Sequence, residues 1–270
     1  MPGEPGDHDD MPYSNLPENA FWKLCRDDES FRLSEIYSPR VRIEPGQRVG
    51  TAGSCFAQNI SRYLRRSTLK FHDAEPAPRG MPETVSRRFG YGLYSARYGN
   101  IYTARQLRQL LSDARDGTLH DAAFWQRDGR WYDALRPGVE PDGLSSLEEA
   151  RAHRRDHLAR VAGLMGDMDV FVFTLGLTET WQERATGLVF PTAPGVMAGS
   201  YDAKRHSFAN HGFAEVLGDM TAAIGLLREA RPGLRVILTV SPVPLTATAS
   251  GQHVLAATTY ANAVLRAAAG

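Results

Sequence analysis

The 270-residue sequence is 42% hydrophobic and 23% charged, the composition of a globular chain, which excludes collagen, extended coiled coil and wholesale disorder. Its 31 Lys and Arg balance 31 Asp and Glu to a formal net charge of +0, so no global field draws it to nucleic acid or an anionic membrane, and a small-molecule ligand is expected. Two cysteines, Cys25 and Cys55, form neither a disulfide framework nor a four-ligand zinc pattern, and no apolar run reaches the roughly 18 residues of a membrane span.

The acidic, Pro/Gly-rich opening MPGEPGDHDDMPYSN is the reverse of a secretory signal, so residues 1 to 15 read as a tail and the expected location is the cytoplasm. NLPENAFWKL predicts a short helix behind Asn15 or Asn19, and SEIYSPRVRIEPGQ an extended lead-in, making residues 1–45 a tail and arm before a domain over 46–270. Arg48 to Gly53 predicts the first core strand, running into a helix with Phe56, Ile60, Tyr63 and Leu64 on one face. LKFHDAEPAP gives a short strand stopped by prolines, and FGYGLYSARYGNIY a loop rich in aromatic residues. Thr103 caps a helix carrying Leu107, Leu110 and Leu111, closed by Asp116-Gly117. Asp128-Gly129 between aromatic flanks signals a surface hairpin. A long helix then opens behind Ser145 or Ser146 with Glu148 and Glu149 in its first turn.

MDVFVFTL, residues 168–175, and LRVILTV, residues 234–240, are continuous apolar runs of strands covered on both faces. Between them Thr186-Gly187 marks a second hairpin and HGFAEVLGDMTAAIGLLREA a helix; a final helix is expected to start at a Ser250 cap. Buried strands alternating with amphipathic helices predict an open α/β sheet of mostly parallel strands with inserted hairpins. In such sheets ligands sit beyond the carboxyl ends of the strands, which directs attention to Ser54, to Thr178-Glu179 and to the loop from Ser241 to His253.

Ser54 stands where a strand turns into a helix, a place that suits either a helix N-cap or a nucleophile beside free amides. Cys55 next to it is either an inert thiol or a competing nucleophile. Asn100 is a candidate oxyanion donor or a residue tolerated in a Gly-rich turn. His253, at a helix N-terminus, is the candidate base or a residue making a local contact, and Glu179 and Asp202 are candidates to orient a base. Tyr91, Tyr94 and Tyr98 with Arg97 and Arg105 form either a wall for a polar or sugar-like ligand or simple loop packing. His206 and His211 have no third ligand at metal spacing, and no Gly-x-Gly-x-x-Gly or Walker pattern follows a strand, so neither metal nor cofactor is expected.

The block AGSCFAQNI, together with FGYGLYSARYGNIYTARQL, VFTLGLTETW, FPTAPG and TVSPVPLTAT, resembles the GSCFA family, whose members are similar to SGNH, or GDSL-like, hydrolases. The resemblance implies a flavodoxin-like three-layer α/β/α sandwich and a serine nucleophile at Ser54 that hydrolyses or transfers acyl groups of a small molecule or saccharide. Gly53 stands where that pattern has Asp, and Cys55 where it has Leu; Gly176-Leu177-Thr178-Glu179 falls on its Gly-x-Asn-Asp block, with Thr178 in place of the amide donor. Ser241 opens the loop after the third core strand and joins Gly53, Cys55, Asn100, Gly176, Thr178 and Glu179 as oxyanion or substrate-binding candidates; no Asp-x-x-His follows, from which the expectation is a chain lacking its last strand and block. Three functions stay open: a serine esterase or acyltransferase, a non-catalytic ligand-binding module on the same fold, and a thiol-dependent activity at Cys55.

Overall fold

A computed structural model describes residues 12–27, 32, 36, 39 and 41–270. The strands are β1 (Arg48–Gly53), β2 (Lys70–Phe71), β3 (Phe124–Arg127), β4 (Arg130–Asp133), β5 (Val170–Leu175), β6 (Glu179–Glu183), β7 (Val189–Phe190), β8 (His206–Asn210) and β9 (Arg235–Val240). The α-helices are α1 (Trp22–Asp27), α2 (Ala57–Arg66), α3 (Glu83–Arg88), α4 (Ala104–Asp116), α5 (Leu147–Asp167), α6 (Phe213–Ala230) and α7 (Val254–Ala269). By its contacts the chain divides into residues 1–42 and 43–270. The first unit carries α1 behind a 3-10 turn at Glu18–Ala20, in the stretch where a short helix is expected. The tail through residue 11 and much of the lead-in segment lie outside the described residues.

The three apolar runs assemble into one parallel sheet of order β2-β1-β5-β9, with Gly53 opposite Thr174 and Leu175 opposite Val240. Every residue of β5 is buried, as a central strand covered on both faces requires. Its alternation sorts the two faces. Phe171, Phe173 and Leu175 pack into the large core with Leu107 and Leu111 of α4, Leu158 and Val161 of α5, Leu227 of α6 and Leu265 of α7. Val170 and Val172 turn the other way, onto Leu64 of α2. The result is a three-layer α/β/α arrangement, and no described helix is long and apolar enough to cross a membrane. β9 is an edge of this sheet, and all six of its residues are only half-buried.

Local chemistry explains most boundaries. Thr103 accepts the Gln106 amide while the Gln106 side chain accepts the Thr103 amide, a reciprocal cap on α4, and Gly117 ends that helix in the left-handed conformation. Ser146 caps α5 by accepting the Glu149 amide. Two helices differ from expectation. α7 begins at Val254 with His253 as cap rather than at Ser250, because Ser250 is held by Thr248 in the preceding loop. α2 buries Ala57, Ser61 and Leu64 and leaves Tyr63 72% exposed: Ser61 Oγ lies 2.7 Å from Thr51 Oγ1 of β1, so small residues form the face that meets the sheet.

Asp128 and Gly129 both take positive φ, as the two-residue β3-β4 turn requires. The hairpin is less superficial than expected, because Trp125 and Tyr132 are buried with Leu188 and Phe190 of the second insertion. That insertion, β6-β7, gains the unexpected strand β8, paired antiparallel to β6. The short polar-apolar run HSFAN gives little strand signal by itself.

Buried polar contacts join α5 to the loop bearing Glu75 and to α4, and pair Arg136 with Asp133 beside it. His157 Nδ1 lies 2.7 Å from Glu75 Oε2, Arg136 Nε donates to Asp133 at 2.8 Å, and Arg154 donates to Asp113 at 3.2 Å. Burial pushes Glu75 up, but the hydrogen bond and charge of His157 and the nearby Arg136 outweigh it and hold the carboxyl at about 2. Burial, with Arg136 adding, lowers His157 to about 4 against the pull of Glu75. At neutral pH His157 is therefore neutral and donates from Nδ1 to an ionised Glu75.

Candidate functional site

From β1 the chain passes to β2 on one side of the sheet and later to β5 and β9 on the other, so the topological switch lies between β1 and β5. There a cleft of about 560 Å³ opens beyond the carboxyl ends of the strands. Ser54, Cys55, Tyr102, Gly176, Glu179 and Ser241 line it, with an apolar surround from the second insertion and the loop after β9. Five of the residues singled out by sequence, from three distant segments, thus share one cavity.

Two glycines make the junction possible. Gly53 has φ +143°, and a Cβ there would lie 2.6 Å from Thr174 O, so only glycine lets β1 end this close to β5. A Cβ at Gly176 would lie 2.7 Å from Ser54 Cβ, so the turn after β5 fits against the serine only without a side chain. Ser54 is 3% exposed, its amide donates to Thr174 O at 3.3 Å, and its hydroxyl has no partner among the described residues. A buried hydroxyl left unbonded beside a cavity is costly unless something visits it. The helical turn continues from Ser54, whose carbonyl accepts the Ala57 amide at 2.9 Å. The amides of Cys55 and Phe56 donate to no acceptor among the described residues, leaving free N–H groups beside the hydroxyl.

Below the serine runs a chain of side chains. Gln58 Nε2 donates to Tyr94 Oη at 3.3 Å; that hydroxyl lies 2.5 Å from Asn100 Oδ1, to which it donates, and 3.1 Å from Ser54 O. Asn100 Nδ2 donates to Tyr102 Oη at 2.9 Å, and the Tyr102 hydroxyl itself donates to no described residue. Burial raises both phenols, so they remain neutral donors. The Tyr102 carbonyl accepts the amides of Gly176 and Leu177, each at 2.9 Å, and so fixes the turn against Ser54.

The remaining sequence candidates sit elsewhere. Asn100 does not line the cleft; its amide is used to hold Tyr94 and Tyr102. Thr178 is fully buried behind the cleft, with its hydroxyl unpartnered and its carbonyl accepting the His211 amide. His253 is exposed and outside the lining, and its Nδ1 accepts the Leu255 amide at 3.2 Å. No histidine lines the cleft among the described residues. His211 is buried and lowered by that burial, with Nδ1 3.5 Å from Glu215 and Nε2 unpartnered. His206 packs on Phe190 and accepts the Asp202 amide, and the Asp202 carboxylate accepts the Lys204 amide. The aromatic loop is packing rather than a ligand wall: Tyr94 and Tyr98 are core residues, Arg97 is bonded to Glu140 and lies 4.0 Å over Tyr91, and Arg105 is paired with Asp219.

Glu179, at the start of β6, accepts from Thr248 Oγ1 at 2.6 Å, which draws the loop after β9 onto the cleft. Sequence reasoning missed Tyr102, Trp181, Phe190 and Phe208. The alternation TWQ and the FP pair show strand and turn character, but nothing in them says which face meets a cavity.

The sequence profile of the GSCFA family matches residues 48–270. No curated protein and no solved structure matches the chain.

Proposed function

The chain belongs to the GSCFA family, and we propose that it is a serine-dependent esterase or acyltransferase, similar in chemistry to SGNH hydrolases, acting on an acylated small molecule or saccharide. The observation that carries this reading is the buried, unpartnered hydroxyl of Ser54 at the switch point of the sheet, inside a cleft and next to two free amides. In the proposed step Ser54 Oγ attacks the ester carbonyl and its proton passes to Glu179, directly or through one water. Among the described residues Glu179 is the one carboxylate lining the cleft. The amides of Cys55 and Phe56 and the hydroxyl of Tyr102 are the donors offered to the developing oxyanion. Collapse expels the alcohol, which takes the proton back, and leaves an acyl-serine for water or a second alcohol. The saccharide or other alcohol portion belongs at the open mouth, since Tyr94 and Tyr98 are packed in the core.

One observation favours a second reading, a ligand-binding module without turnover: among the described residues no histidine lines the cleft, and His253 is engaged as a helix cap. Hydrolysis of p-nitrophenyl butyrate by the wild type, Ser54→Ala and Cys55→Ala separates the readings. Loss in Ser54→Ala with retention in Cys55→Ala supports the esterase. The reverse pattern assigns a thiol-dependent reaction, and absence of turnover in the folded wild type supports the binding module.

A further inference from the structure

We propose that the cleft receives the apolar acyl chain of a neutral ester, which makes the preferred substrate a medium-chain fatty acyl ester rather than an acetylated or phosphorylated molecule. The inference rests on Ser54 as the acyl acceptor but draws on a separate set of residues. In the three-stranded insertion Trp181 of β6 is paired with Phe190 of β7 on one side and Phe208 of β8 on the other. Directly opposed residues of antiparallel strands share a face, so the three rings form one row across the small sheet. All three line the cleft. The Trp181 and Phe208 rings are 5.8 Å apart, edge to face; both are half-buried and belong to no hydrophobic core cluster among the described residues. Their packing leaves apolar surface facing the cavity.

The loop after β9 adds further apolar lining. Val243 and Leu245 line the cleft, and the loop is held in place by the Thr248 to Glu179 bond and by the Leu245 amide donating to Thr258. Val196, 69% exposed, extends the apolar surface to the rim. Charge points the same way. Neither Lys, Arg nor His lines the cleft among the described residues, and Glu179 repels an anion, so a phosphate or carboxylate inside it has no counter-charge. A volume of about 560 Å³ falls within the range of pockets that hold ligands many times larger than an acetyl group. With Ser54 and the aromatic row lining the same cleft, a carbonyl at the serine leaves the rings as the apolar surface available to its alkyl chain.

The test has two arms. In the first, kcat/KM for p-nitrophenyl esters from acetate through butyrate and hexanoate to octanoate is expected to rise by about fourfold per added methylene, the value of burying one CH₂. In the second, calorimetry measures binding of hexanol, octanol, decanol and decanoate to Ser54→Ala, which needs no nucleophile. Affinity is expected to rise by a similar factor per methylene, decanol is expected to bind more tightly than decanoate, and Trp181→Ala and Phe208→Ala, each checked for an unchanged melting transition, should flatten the series. Rising alcohol affinity without ester turnover keeps the acyl receptor and removes the nucleophile. Turnover with a flat chain-length profile in both arms keeps the nucleophile and overturns the acyl receptor, as does tighter binding of decanoate than of decanol.

Discussion

Replacing His157 by Gln should remove a specific part of the acid sensitivity of the fold. His157 is fully buried, with Glu75 at Nδ1, Arg136 and Arg154 close enough to disfavour its protonation, and Tyr98 edge-on at 5.9 Å. In the unfolded chain it takes a proton near 6.5, and in the folded protein only near about 4. Below 6.5 the unfolded state therefore binds a proton that the folded state refuses, so stability is fully present above 6.5 and is lost as pH falls towards 4. At 1.36 kcal/mol per pH unit, that interval amounts to about 3 kcal/mol. Glu75 acts with the same sign lower down: its carboxyl titrates at 4.5 when unfolded and at about 2 when folded, so its contribution is lost between those values. Urea unfolding at intervals from pH 7.5 to about 4 reads the His157 share directly. The wild type should lose about 3 kcal/mol more over that range than His157→Gln, which keeps a donor for Glu75 but does not titrate. His72 and His211 are also lowered by burial and contribute to the slope of both proteins, so the difference isolates His157. Parallel slopes would refute the assignment of a neutral buried imidazole.

Three further outcomes concern the site. Gly176→Ala places a methyl group 2.7 Å from Ser54 Cβ, so it should cost about 1–3 kcal/mol by overpacking and slow acylation of Ser54 at least tenfold in stopped-flow assays; unchanged reactivity would show that the serine is not held by this turn. His253→Ala removes a helix cap and should lower stability by about 1 kcal/mol in urea titration, leaving ester turnover intact; a loss of orders of magnitude in kcat would instead make His253 the base. Glu179→Gln keeps a partner for Thr248 while removing the proposed proton acceptor, so kcat should fall by about 10²-fold or more and KM much less, and an unaffected kcat would exclude Glu179 from proton transfer.

The sheet was legible because its strands have to be apolar on both sides: VFVFTL has no polar face to show, and a run of that kind fits only a central parallel strand. Caps and turns were legible where one residue type has one physical use, as at Thr103, Ser146 and Asp128-Gly129. The site was legible to the extent that strand ends converge, which brought Ser54, Gly176, Glu179 and Ser241 together without any knowledge of side-chain direction. Direction is what the sequence does not encode locally. Tyr98 and Arg97 look equally suited to a ligand wall and to a buried loop, and their packing against α5 and Glu140 decides for the latter. His253 has the right position for a base by loop length alone, but its ring is turned back to its own helix. Trp181 and Phe208 become a wall only once β8 pairs with β6, a long-range pairing with little local signal.

A fluorophosphonate probe applied to the intact folded protein, with the modified residue located by peptide mass spectrometry, tests most directly whether Ser54 is the nucleophile of the cleft it lines. Covalent labelling is expected at Ser54, abolished in Ser54→Ala, retained in Cys55→Ala and slowed by octanol occupying the cleft. Labelling confined to Cys55, or a folded wild type that the probe leaves unmodified at Ser54, would contradict it.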